Sequence, residues 1–157
     1  MAIRDIVKDG EPLLRKKSRP VDKFDAKLHA LLDDMLETMV AANGVGIAAP
    51  QVGILRQVVI CELEVEGSEK GEIFEMINPV VIAKKGKQIG PEGCLSVPGK
   101  TCDVQRPQTV TVSYQDRNGE KKERTLSDFN AVVASHEIDH LSGILFYDKE
   151  VKTKPKK

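Results

Sequence analysis

With 157 residues, 24 of them basic and 24 acidic, the chain is long enough for one self-supporting core and has no net charge to draw it onto nucleic acid or an anionic membrane. No stretch approaches the roughly 18 apolar residues of a membrane-spanning helix, and acids interrupt the one apolar patch near the N-terminus, so no secretory signal is expected. Cys61, Cys94 and Cys102 are odd in number and form no C-x-x-C pair, which argues against a disulfide framework. A reducing, cytoplasmic setting without DNA or membrane partners is expected.

Residues 25–42 place Leu28, Leu31, Leu32, Met35 and Met39 at helical spacing, and Asn43-Gly44 closes the pattern, so a long amphipathic helix is predicted. Residues 44–53 mix glycine, proline and small apolar side chains and read as an irregular or short-strand segment. The β-branched runs 57–63, 73–77 and 79–84 read as strands. Alternation over 109–116, the pair Asn118-Gly119 and a return over 121–126 predict a hairpin. Ser127-Asp128 then offers N-cap chemistry for a second helix through His140. One domain is expected over residues 1–148, followed by a lysine-rich, disordered tail over 149–157. The element order predicts an α+β fold, with a long N-terminal helix and a metal-binding C-terminal helix packed on mostly antiparallel sheets.

His136 and His140 are four apart, so they share one face of that second helix and both imidazoles can reach one cation. Glu137 follows the first of them and can take a proton from water activated there. A hydrolytic site of this kind needs a third protein ligand and an open position. The zincin pattern H-E-x-x-H-x-x-G-x-x-H is matched as far as Gly143, but Phe146 stands where its third histidine belongs. Few residues follow His140, which makes a later glutamate ligand hard to build, and His29 reads as a surface residue of the first helix. Cys94, set in Pro91-Glu92-Gly93-Cys94-Leu95-Ser96-Val97-Pro98, fits a thiolate ligand or a buried core thiol equally well. Core burial suits Cys61 and Cys102 better.

Three segments together resemble the peptide deformylases. Gly44-Val45-Gly46-Ile47-Ala48-Ala49-Pro50-Gln51 is similar to that family's first motif, G-x-G-h-A-A-x-Q. Glu92-Gly93-Cys94-Leu95-Ser96 is similar to its second, E-G-C-L-S, and His136-Glu137-Ile138-Asp139-His140-Leu141 to its third, Q-H-E-x-D-H-L. The resemblance implies an α+β fold and removal of the formyl group from N-formylmethionyl nascent polypeptides. It implies Cys94, His136 and His140 as metal ligands and Glu137 as the acid/base. Gln51, through its side-chain N–H, and Leu95, through its backbone N–H, would donate to the oxygen that becomes negative as water attacks the formyl carbon. Gly46 would let a substrate backbone lie alongside as an added strand, and Val45, Val132 and Val133 are candidates for the methionine pocket. Iron(II) is the metal the resemblance favours, although one thiolate and two imidazoles also accept zinc, nickel or cobalt.

The chain departs from the family pattern in two places. Ser135 precedes His136 where the family usually has glutamine, and Gly99-Lys100-Thr101 occupies the stretch where many members have a substrate-holding arginine. Arg106 is expected to pair with Asp139 or Glu92, each adjacent to a ligand-bearing motif. The basic tail, Lys149 to Lys157, suggests contact with ribosomal RNA as an alternative to a merely solvated terminus. Two other functions compete: a zincin-like endopeptidase, which would be indifferent to Cys94, and a non-catalytic metal module, which would be indifferent to Glu137.

Overall fold

The computed structural model describes residues 2–152. Helix α1 (Ala26–Ala41) forms where its apolar periodicity predicts, and the Asp25 carboxylate caps it by accepting the Leu28 N–H at 3.1 Å. The chain then runs through β1 (Gly46–Ala48), a 3-10 turn (Ala49–Val52), β2 (Val58–Leu63) and β3 (Glu72–Lys85). A hairpin of β4 (Gln88–Cys94) and β5 (Val97–Arg106) precedes β6 (Thr109–Gln115), β7 (Lys121–Ser127) and helix α2 (Phe129–His140). Strands β1-β2-β3-β6-β7 make one five-stranded sheet in that order, every neighbour antiparallel, and β4-β5 stand apart as a two-stranded sheet. The α+β reading therefore holds.

The period-2 alternation of β2 explains why the sheet has a helix on each face. Val58 and Ile60 point to α1, joining Leu32, Met35, Met39, Ile47 and Ile77 in one cluster. Val59, Cys61 and Leu63 point the other way, to Ala131, Val133 and Ala134 of α2. Each fully buried aliphatic side chain here contributes on the order of 1.5–3 kcal/mol. Cys61 is completely buried, as expected. Cys102 is not. It is half-buried on a small cluster of Val97, Val104 and Phe146, because β5 lies outside the main core.

Four features of the structure depart from the expectations or add to them. The runs 73–77 and 79–84 belong to one strand, β3, in which Asn78 adopts φ +53° and absorbs a register shift between Ile77 and Val80. The Asn78 amide is bonded on both sides, to Val21 and to Gln115, so the kink is held in place rather than ending the strand. The β4-β5 hairpin has no sequence forecast, since Gln88-Ile89-Gly90-Pro91-Glu92-Gly93-Cys94 lacks apolar alternation. Asp128 stands at the N-cap position of α2, but its carboxylate accepts from Gln108 and caps no helix N–H, because φ +58° turns the chain sharply out of β7. Finally, the packed chain runs past Asp148: Lys149 pairs with Asp139 at 2.9 Å and the Val151 N–H donates to Asp103 at 2.9 Å. The rest of the expected disordered tail, residues 153–157, lies outside the described residues.

Candidate metal centre and active site

Helix α2 delivers His136 and His140 one turn apart, with ring centroids 5.2 Å from each other. The turn of the β4-β5 hairpin delivers Cys94 to the same place. One donor atom from each of the three lies within 4.8 Å of the others, and Cys94 Sγ is 3.4 Å from His140 Nε2. Cys94 is thus half-buried beside both histidines, at the border of the small cluster of Val97, Val104 and Phe146. Phe146, at the position of the zincin histidine, is buried and stacks on the His136 ring at a centroid distance of 6.0 Å. It braces a candidate ligand instead of being one.

Behind the histidines lies a buried ionic network. Arg106, with 2% of its side chain exposed, donates Nε and Nη2 to Glu92 at 2.9 and 2.8 Å and Nη1 to Asp139 at 2.6 Å. It therefore pairs with both acids named as alternatives. Glu92 in turn accepts from His136 Nδ1 at 2.9 Å, which leaves Nε2 of that ring for a cation. Burial alone would raise the Glu92 pKa, but the hydrogen bonds from Arg106 and His136 outweigh it and hold the carboxyl at about 2. His140 is held neutral, its pKa lowered to about 3 by burial and then by the charges of His136 and Arg106. Burial also disfavours a charged His136, yet Glu137, Cys94 and Glu92 override it and raise its pKa. A thiolate and two neutral imidazoles beside concentrated negative charge are a donor set that suits a divalent cation, which would displace the protons that Cys94 and His136 otherwise hold. The residues fit the metal.

Glu137 is buried, and burial lifts its pKa to about 7 against the lowering pull of His136 and Arg106. Its Oε1 has no hydrogen-bond partner among the described residues, and Oε2 lies 4.0 Å from His136 Nε2. Gly46 lies directly against it, where a Cβ would come within 2.5 Å of Glu137 Oε2. Gln51, in the 3-10 turn after β1, accepts the Ala48 N–H at 2.9 Å through Oε1. Its Nε2 is thereby aimed at Ser96 Oγ, 3.2 Å away, and Cys94 Sγ, 3.5 Å away. One end of the amide caps a turn and the other faces the site.

A cleft of about 420 Å³ opens over this centre, and Val45, Gly46, Gln51, Leu95, Val132 and Val133 all border it. The strand β1 is an edge of the sheet, paired only with β2. Ser96 and Phe129 were missed by sequence reading. Ser96 was visible inside the E-G-C-L-S segment and is fully buried, whereas Phe129, 53% exposed at the cleft rim, carries no local signal. The Ser135 hydroxyl, at the position of the family's glutamine, is buried without a hydrogen-bond partner among the described residues.

Fold and site together define a metallohydrolase of the α+β class with a Cys-His-His donor set. A family model for polypeptide deformylases matches residues 3–156. The chain is 51% identical to the peptide deformylase of Alkaliphilus metalliredigens over 152 residues, 97% of this chain and 99% of that protein. Its fold superposes on the Thermotoga maritima peptide deformylase with a TM-score of 0.89 at 35% identity, covering 97% of this chain and 100% of that one. A Met-Ala-Ser-bound class I type b peptide deformylase from Acinetobacter baumannii gives the same TM-score, 0.89, at 35% identity over 94% of this chain and 98% of that one. The chain belongs to the polypeptide deformylase family.

Proposed function

We propose that this protein removes the N-formyl group from the N-terminal formylmethionine of newly made polypeptides, using one divalent cation held by Cys94, His136 and His140. What carries the reading is the convergence on one cleft of that donor set, the buried Glu137 carboxyl and the Gln51 amide. A cation bound there acidifies water to near-neutral pKa and polarises a carbonyl. Glu137, poised near neutrality by burial, takes the proton from the attacking water and returns it to the departing methionyl amine as the formyl C–N bond breaks. Gln51 Nε2–H and the Leu95 N–H donate to the formyl oxygen as it gains negative charge. The free edge of β1 at Gly46 suits a substrate backbone, and Val45, Val132 and Val133 offer apolar contact to the methionine side chain.

Iron(II) is the proposed resident ion, with zinc, nickel and cobalt compatible with the same donors. The test is an anaerobic assay on formyl-Met-Ala-Ser after reconstitution with each of these four metals in turn; no activity with any of them refutes the reading. Cys94→Ser is expected to lose both metal and turnover. Glu137→Gln is expected to keep the metal and lose about 10²–10⁴-fold in kcat, the range for a general acid–base group. A cytoplasmic location follows from the substrate, since formylmethionine is borne by nascent chains. Contact of the lysine-rich C-terminus with ribosomal RNA is checked by ribosome co-sedimentation of a tail-deleted chain.

A further inference from the structure

The two donors assigned to the formyl oxygen come from different elements: Gln51 from the turn after β1, Leu95 from the turn of the β4-β5 hairpin. A direct link joins these turns, from Gln51 Nε2 to Ser96 Oγ at 3.2 Å. That link runs through the amide nitrogen that also faces the cleft, so one of its two N–H bonds is committed to Ser96 and any turn of the amide toward substrate strains the link. A second set of bonds does not have this defect. The Val7 N–H donates to Gln51 O at 2.7 Å, the Asp9 N–H donates to Ser96 O at 2.7 Å, and Lys8 Nζ reaches Leu95 O at 3.4 Å. Three consecutive residues thus grip both turns through backbone oxygens that take no part in the chemistry.

The grip is anchored at its far end. The Tyr147 hydroxyl, on the 3-10 turn Phe146–Lys149, lies 3.0 and 2.9 Å from the two Asp9 carboxylate oxygens. Arg15 Nη2 donates to that hydroxyl at 2.9 Å, while Arg15 Nη1 donates to Gly143 O at 3.2 Å, just beyond the end of α2. Resting on the deformylase reading above, we propose that residues 7–9 are a strap that sets the spacing between Gln51 and Leu95, with Asp9 as its positioning residue. Asp9 borders neither the cleft nor the Cys94-His136-His140 cluster. It holds the hairpin turn through its N–H and is itself held through its carboxylate.

The test compares the wild-type holoenzyme with Asp9→Pro, which removes the N–H donated to Ser96, with Tyr147→Phe, which removes the hydroxyl anchor, and with Asp9→Asn, which retains the N–H and an acceptor. Turnover of formyl-Met-Ala-Ser, inhibition by the product Met-Ala-Ser, metal content and melting temperature are measured for each. Misaligned donors lower kcat about tenfold or more, since displacements of about an ångström cost up to about 10²-fold. Product binding develops no oxyanion, so its inhibition constant and KM stay within about twofold. The expected order of kcat loss is Asp9→Pro, then Tyr147→Phe, with Asp9→Asn recovering most of the rate. Unchanged kcat in Asp9→Pro overturns the strap, as does a fall in kcat matched by equal loss of metal or of product binding, which would make the segment a stabiliser only. Inactive wild-type enzyme instead refutes the deformylase reading itself.

Discussion

Glu137 and Gly46 show how the chemistry at one residue depends on another. A methyl group at position 46 would sit 2.5 Å from Glu137 Oε2 and 2.8 Å from its Cγ, so the whole buried side chain, and not its carboxylate alone, must shift to make room. Gly46→Ala is therefore expected to lose about 1–3 kcal/mol of stability through overpacking, while kcat drops about 10²-fold, the scale of a misplaced acid–base group. A Gly46→Ala enzyme with full kcat would show that Glu137 works from a position other than the one beside this glycine. Arg106 is a residue whose removal is paid in stability. Arg106→Ala strands the buried Glu92 carboxylate without its cation, a loss of about 3–5 kcal/mol for a buried pair, and leaves Asp139 with Lys149 alone. Metal affinity should fall about 10–100-fold with it, because Glu92, the partner of His136, is no longer held in place. Retained metal content and an unaltered denaturant midpoint in Arg106→Ala would rule that role out.

At the scale of elements, the N-terminal 3-10 turn (Pro12–Arg15) packs backbone to backbone against the chain just beyond the end of α2. Gly143 adopts φ +74° just after the helix, and a Cβ there would collide with the carbonyl of Arg15. Both the left-handed backbone and the close approach require glycine. Gly143→Ala is expected to destabilise by more than about 1 kcal/mol, since backbone rather than a pliable side chain must give way. Chemical denaturation measures it, and because His140 is three residues upstream, metal retention should be measured alongside. The β4-β5 hairpin makes the complementary point. Its strands have little apolar alternation and were invisible as strands, yet Val97 and Val104 dock on Phe146 and so carry Cys94 to the histidines. Pairing partner and docking surface, not propensity, make it a strand.

Across the whole molecule, the 3-10 turn near the N-terminus meets the one that follows α2. Arg15 forms a salt bridge with Asp148 at 2.5 Å, and that hydrogen bond, against some burial, holds the Asp148 pKa below its ordinary 3.8. A carboxylate with a lowered folded pKa adds stability above its ordinary value and loses it as pH falls through the folded value. The wild type should thus melt above Asp148→Asn near neutral pH, and the gap should close below about pH 3.8. Both partners are partly exposed, so the gap is small and salt-sensitive. A gap independent of pH would mean that Asp148 acts through its bond to the Leu145 N–H instead.

What was legible in the sequence follows from the range over which each signal acts. The apolar spacing of α1, the alternation of β6 and the four-residue separation of His136 and His140 are written within one or two turns of chain, so helices, hairpin and half of the metal site could be read directly. Motif resemblance then named Cys94, Gln51 and Leu95, although local pattern alone left Cys94 between ligand and core. Only the tertiary structure decided the rest. Glu92 reaches His136 across 44 positions, Gln51 reaches Ser96 across 45, and Tyr147 reaches Asp9 across 138. Such contacts are set by how the hairpin, the sheet edge and the two termini pack, and no local periodicity encodes that packing. The amino-acid sequence determined that two histidines share a helix face with a glutamate beside the first of them. Tertiary packing decided which thiol joins them, which arginine holds their partners and which backbone strap keeps the facing donors in line.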